Sequence, residues 1–224
     1  MKRLIIFISL FIPILLVNAQ TTDFGGRLGV SYTKNLGTRW DLNLLGDVYM
    51  NQNFTKYEKF RAGIGVDYTF FRKKLKVGTT YYYINQFTSS HIYENRHRAN
   101  VSISYSEKYR QYSFSYRLRL QTTFRDETKD YYRFNPKIYL RNKFQVSYSF
   151  YTKPIKLRLS EEFFWRLDRP DQRIIDQLRT TFGVQYRFNS VYAIDFYVRS
   201  GNDIQVNDRE NIFSLGAILK IKNR

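Results

Sequence analysis

An all-β fold, a transmembrane up-and-down antiparallel barrel of ten or twelve strands with twelve slightly favoured, is what this sequence predicts. Three observations predict it. Apolar and polar residues alternate with period two along most of the chain. The connections between these runs alternate between short and long. And 20 Tyr, 19 Phe and 2 Trp, 18% of 224 residues, are more rings than a narrow barrel can hold inside.

The first nineteen residues read as an address. Lys2 and Arg3 precede an apolar stretch from Leu4 to Val17, broken only by Ser9 and Pro13. Val17-Asn18-Ala19 then offers modest residues before Gln20, the layout of a cleavable secretory signal, and the apolar part is short for a membrane span. Domain boundaries follow: residues 1–19 as signal peptide and 20–224 as barrel. With Lys2 and Arg3 removed, 35 basic and 19 acidic residues remain, a net charge of +16. The absence of Cys excludes a disulfide scaffold and thiol-bound metal, and the richness in aromatics argues against disorder. Export, together with basic residues spread along the whole chain, argues against a nucleic-acid partner.

Past Ala19 no run of eighteen apolar residues occurs. In residues 112–124, Tyr112, Phe114, Tyr116, Leu118, Leu120 and Phe124 face one way, and Ser113, Ser115, Arg117, Arg119, Gln121 and Thr123 the other. The same alternation sets Phe60, Ala62, Ile64, Val66 and Tyr68 against Arg61, Gly63, Gly65 and Asp67. Strand-like segments lie near 24–34, 38–50, 57–71, 74–87, 96–106, 109–125, 137–151, 155–166, 175–188, 191–200 and 211–222. These are eleven, whereas single-chain bacterial barrels have even counts with both termini on one side. One segment is therefore expected to be split wrongly around 131–151 or missed near the amino terminus.

The rings are expected to form two outer bands. One, near the short turns, holds Tyr32, Trp40, Phe70, Phe71, Tyr105, Phe150, Tyr151, Phe188 and Tyr192. The other, near the longer loops, holds Phe54, Tyr57, Phe87, Tyr93, Phe124, Tyr131, Tyr132, Phe164, Trp165 and Phe213. Two such bands suit two membrane interfaces, with Leu42, Leu44, Ile64, Val101, Ile103, Leu118, Leu120 and Ile194 facing lipid between them. The opposite face would line the lumen with Arg61, Arg96, Arg98, Arg117, Arg119, Arg141, Arg158, Arg179, Arg187 and Arg199, joined by Lys76 and Lys143. Asp41, Asp47, Asp67 and Asp195 lie among them, and Gly63, Gly65, Gly78 and Gly183 leave room for guanidinium groups on neighbouring strands. Two readings of this face stand side by side. It is a basic pore that binds or passes small anions, or Arg–carboxylate networks fill and close the barrel.

Several stretches recur here in a familiar order: Phe60-Arg61-Ala62-Gly63-Ile64-Gly65-Val66-Asp67-Tyr68, Glu94-Asn95-Arg96-His97-Arg98, Tyr116-Arg117-Leu118-Arg119-Leu120, Glu161-Glu162-Phe163-Phe164 and Leu178-Arg179-Thr180-Thr181-Phe182-Gly183-Val184-Gln185-Tyr186. With an amino-terminal hairpin carrying Trp40, the chain resembles the domain-of-unknown-function 2490 family of exported outer-membrane barrels. The resemblance spans nearly all of residues 20–224 and implies location and shape, with no activity attached to it. It departs at Asn95 and Arg96, which separate Glu94 from His97.

Catalytic chemistry has little to work with. Only His91 and His97 are present, and His97 falls on the face opposite Ser102 and Ser104. Two His without Cys make a transition-metal site a poor fit, and no phosphate-binding glycine loop appears, so no cofactor is expected. Glu161 and Glu162 form an acidic pair of open role. Alternation turns Glu161 toward lipid unless a bulge re-aims it or this point already lies at the interface, and the pair is expected to neutralise Arg158, Arg166 or Arg179. No enzymatic activity is expected. The competing expectations are a lipid-modifying barrel enzyme using Glu161 or Glu162 with a His, and a soluble periplasmic carrier barrel. An outer-membrane location in a Gram-negative cell is the expectation, with membrane lipid and lipopolysaccharide as partners. Arg125, Lys129, Arg133, Arg169 and Arg173 are the residues placed to meet lipopolysaccharide phosphates.

Overall fold

The computed structural model describes residues 23–87, 93–125, 136–168, 175–203 and 211–223. Among them eleven strands close into one barrel: β1 (Asp23–Asn35), β2 (Trp40–Asn51), β3 (Lys56–Phe70), β4 (Leu75–Phe87), β5 (Tyr93–Tyr109), β6 (Tyr112–Arg125), β7 (Lys137–Ser149), β8 (Ile155–Arg166), β9 (Ile175–Arg187), β10 (Tyr192–Asp203) and β11 (Asn211–Asn223). Each strand pairs antiparallel with its neighbours in sequence, and β1 closes the ring by pairing parallel with β11, Asp23 opposite Ile212 through Lys34 opposite Asn223. The fold class is the expected one; the even count is not. In a meander each strand reverses the last, so an odd number leaves the first and last running the same way. The eleven segments of the sequence were each a strand, none split or missed among the described residues. The described strands therefore begin and end at opposite rims: β1 starts at the long-loop end, and β11 finishes at the short-turn end.

Short turns at 36–39, 71–74, 110–111, 150–154 and 188–191 join the strands at one rim. The first three reverse the chain with left-handed backbone, at Gly37 (φ 120°), Phe71 (φ 48°), Arg72 (φ 52°), Lys73 (φ 65°) and Arg110 (φ 53°). The four-residue turn after β2 does the same at Gln52, Asn53 and Phe54, and Phe54 lays its ring over Gly26 of β1, which has no side chain to obstruct it. Of the other long connections, 88–92, 126–135, 169–174 and 204–210 lie outside the described residues, and with them Tyr131 and Tyr132.

The distribution of polarity is the reverse of a soluble domain's. The outward face carries Leu28, Leu44, Ile64, Val101, Ile103, Leu120, Phe196, Val198 and Leu215, all exposed, with Ile64 at 50%. Rings cluster toward the rims: Trp40 against Tyr68 and Tyr68 against Phe70 at the short-turn end, Phe87 and Tyr57 against Tyr93 at the other. Most of what is buried is polar, Asp47, Asn100, Gln121, Arg141, Ser160, Glu162, Thr181 and Asp195 among them, with Ile84 and Ala193 as the buried aliphatic side chains. Phe164, expected in the outer band, is buried inside instead, because it shares its face of β8 with Ser160 and Glu162. Tyr82 and Tyr197 are buried on the same inner side.

Candidate functional site: the barrel interior

Ion pairs organise much of the interior, and they fall into separate groups. Asp47 on β2, its side chain 1% exposed, receives two guanidinium forks. Arg27 donates through Nε (2.9 Å) and Nη2 (2.6 Å) to Oδ1, and Arg61 through Nε (2.9 Å) and Nη2 (2.5 Å) to Oδ2. The register causes this: Asp47 pairs with Gly29 on one side, which leaves space over β1, and with Arg61 on the other. Asp195 on β10 takes Arg158 (2.7 Å) and Lys220 (2.8 Å), and Gly183 lies between Arg158 and β10 so that the guanidinium can cross. Lys76 reaches Asp41 (3.0 Å) and Asp67 (3.4 Å), and Arg96 reaches Glu94 (2.8 Å). Buried charges of this kind are tolerable because each is paired and hydrogen-bonded.

Between these groups the balance changes. Arg117 opposes Lys143, which opposes Glu162, which opposes Arg179, in one unbroken row across β6 to β9. In the adjoining row Arg119 opposes Arg141, which opposes Phe164. Arg98 and Arg199 complete the group, with Thr123 (3.0 Å) and Thr181 (3.4 Å) as their hydroxyl acceptors. Among the described residues seven cations thus share one carboxylate. Glu162 accepts from Arg117 (2.8 Å) and pairs with Arg141 (2.9 Å), and Arg141 also donates to Gln121 (2.6 Å). The remaining positive charge leans on rings: Arg141 and Arg179 lie 4.3 and 4.5 Å from the centre of Phe164, and Arg199 4.8 Å from that of Tyr197. The Nε atoms of Arg117, Arg119 and Arg141 are shut from solvent without a hydrogen-bond partner among the described residues.

Of the ten arginines the sequence assigned to this face, Arg61 and Arg158 sit in the Asp47 and Asp195 groups, and Arg96 is held by Glu94. Arg98, Arg117, Arg119, Arg141, Arg179 and Arg199 form the crowded centre, while Arg187 is exposed at the short-turn rim. The four glycines do not all admit guanidinium groups. Gly183 faces Arg158, but Gly63 faces the Tyr82 ring, Gly65 faces Thr80 and Gly78 faces the Asp67 carboxylate. Arg27 was missed: its signal was the alternation of Arg27 with Gly29 and Ser31, masked by the run Gly25-Gly26 beside it.

Glu161 and Glu162 point to opposite sides of the wall. Glu162 is inside, bridging Arg117 and Arg141; of the expected partners it stands directly opposite Arg179, while Arg158 and Arg166 are taken by Asp195 and Asp168. Glu161 faces outward and accepts from the Thr180 hydroxyl (2.6 Å); the bulge in β8 falls after it, at Phe164/Trp165, and does not re-aim it. His97 also faces outward, three strands away on β5, its Nδ1 2.5 Å from the Tyr81 hydroxyl. A carboxylate and an imidazole are therefore not brought together among the described residues. His91, Lys129, Arg133, Arg169 and Arg173 lie outside them, and Arg125 is exposed at the end of β6. No group of three or more His, Cys, Asp or Glu side chains that could hold a metal occurs among the described residues.

At the long-loop rim Asp168 tethers two strands. Its Oδ1 accepts from the backbone N–H of Ile138 (3.0 Å), and its carboxylate pairs with Arg166 (3.0 Å). Burial alone would raise this carboxyl, but the hydrogen bonds from Arg166 and Ile138 outweigh it and hold it below the usual range. A depressed carboxyl stabilises above its unfolded value and loses that contribution as pH falls through its folded one. Protection of the Ile138 amide from hydrogen exchange should accordingly drop in acid, below about pH 4. At neutral pH Asp168→Ala should mimic it, speeding that exchange roughly fivefold for about 1 kcal/mol lost.

The fold and its interior define a closed β-barrel with an apolar outside and a charged inside. The chain belongs to the family described as "Protein of unknown function (DUF2490)", whose model matches residues 26–211. No curated protein matches it. Six chains of solved structures do. One of them, reported under "Unveiling the Mechanism Behind the in-meso Crystallization of Membrane Proteins", is 13% identical, with a TM-score of 0.42 over 82% of this chain and 71% of the other.

Proposed function

We propose that this chain is an outer-membrane barrel of a Gram-negative cell, exported through its first nineteen residues and without a catalytic step of its own. Its basic lumen binds or passes small anions. The observation that carries this reading is the central group of seven cations around the single carboxylate Glu162. At Asp47 and Asp195 each carboxylate serves two cations, whereas at the centre one carboxylate serves seven, and so large an uncompensated excess favours an anion. The membrane part of the reading rests on the exposed aliphatic face between two rims of rings. Membrane lipid is the partner of that face, and lipopolysaccharide phosphates are the partners of the exposed Arg125 and the loops beyond it.

Refolded, detergent-purified protein in a planar bilayer under a salt gradient tests it. The expected result is a reversal potential on the anion side, with selectivity at least halved by Arg117→Ala plus Arg119→Ala. A folded barrel that stays electrically silent and binds no anion would leave only a structural role. Release of the protein from cells by salt or osmotic shock, without detergent, would overturn the membrane assignment.

A further inference from the structure

The lumen holds two like-charged cross-strand pairs side by side, Arg119 opposite Arg141 and Arg117 opposite Lys143. Like charges directly opposite on a sheet repel, and both pairs lie on the same two strands, two residues apart. Glu162 reaches in from β8 and answers part of this, taking Arg117 and Arg141. Lys143 stands directly opposite Glu162 and shares that same carboxylate, while the Nε of Arg119 has no hydrogen-bond partner among the described residues. Four cations less one carboxylate leave three positive charges at one place in the wall.

From this we infer that the β6–β7 wall is a binding site for a multivalent oxyanion of the phosphate class, seated against Arg119 and Lys143 and shared with Arg117 and Arg141. This rests on the anion-accepting lumen proposed above and names its ligand. The geometry selects the class in two ways. A guanidinium presents parallel N–H donors that match two oxygens on one centre, which a halide lacks. Three uncompensated charges call for more than one negative charge, which a single carboxylate or chloride does not supply. The Nε donors of Arg117, Arg119 and Arg141, unpartnered among the described residues, are the groups such a ligand satisfies once these side chains turn toward it. Glu162 is then the resident counter-charge, and the ligand is the second one.

Inorganic pyrophosphate is the probe, titrated calorimetrically into the full-length protein in detergent and added to one side of the bilayer during chloride conduction. The expected result is saturable binding in excess chloride, with block of the chloride current. Arg119→Gln should weaken binding at least tenfold, and Glu162→Gln, which frees Arg117 and Arg141, should tighten it at least threefold. Arg96→Gln, whose guanidinium is already held by Glu94, should leave it unchanged. Anion-selective conduction without pyrophosphate binding or block would overturn this site and leave the lumen reading standing. Absence of both selectivity and binding would overturn the two together. Equal losses in Arg96→Gln and Arg119→Gln would mean diffuse attraction and no site. Should Arg119→Gln not fold, the opposite-signed Glu162→Gln decides, and binding no tighter than wild type overturns the assignment.

Discussion

Asp47→Ala should destabilise the barrel by about 3–5 kcal/mol in a urea titration of the refolded protein, more than any single arginine removed from the lumen centre. The carboxylate is almost wholly enclosed, and both of its oxygens are occupied by guanidinium forks. Removing it leaves Arg27 and Arg61, with side chains only 11% and 17% exposed, facing one another without an anion. The Tyr49 ring, 5.4 Å from each guanidinium, softens this but does not replace a charge. Replacing the whole triad by apolar residues, Arg27→Met with Asp47→Leu and Arg61→Met, should recover most of the loss, because no desolvated charge remains. A triple variant as weak as Asp47→Ala would show that the triad contributes through shape, and that the charge argument is wrong.

Gly216→Val should cost roughly 2–4 kcal/mol, from overpacking and one broken hydrogen bond. Gly216 stands on β11 opposite both Arg27 of β1 and Tyr197 of β10. The buried Tyr197 ring lies against it, in the space a side chain would take, and its hydroxyl accepts a hydrogen bond from Arg27 Nη1 at 3.2 Å. A valine there pushes the ring off the wall at the parallel seam, where the barrel closes. Gly46→Val is the matching control. A side chain added at Gly46 meets nothing within 4 Å, so its unfolding midpoint should stay within the error of wild type. Equal effects at the two positions would mean that strand propensity, and not the Tyr197 contact, sets the cost.

How much of this was readable in advance differs from element to element. The strand from Tyr112 to Arg125 was legible because its alternation has no exception from Tyr112 to Gln121, and the structure pairs the whole segment in that register. Phe164 was not legible: an aromatic next to a loop reads as an interfacial ring, and only the pairing of Arg141 with Phe164 shows that it serves as a platform for two guanidinium groups. The role of Glu162 was half legible. Alternation separates it from Glu161, but its partners come from β6 and β7, 45 and 21 positions away, and no local pattern names them. Arg27 was hidden by neighbouring glycines, whose missing side chains weaken the very alternation that marks a strand.

The sequence by itself determined the class: period-two patterning, alternating connection lengths and a surplus of rings admit little other than a barrel with its apolar face outward. It also determined the identities of most inward charges, since side-chain direction in a strand is a local property of the pleat. Only the tertiary structure decided the closure and the pairing. Whether eleven strands close at all depends on a parallel contact between the two ends of the chain, nearly two hundred residues apart. Which cation meets which carboxylate depends on register between strands, and register is set by the whole ring of hydrogen bonds rather than by any one segment. That is why the surplus of positive charge could be counted from composition, while its concentration around Glu162 could not.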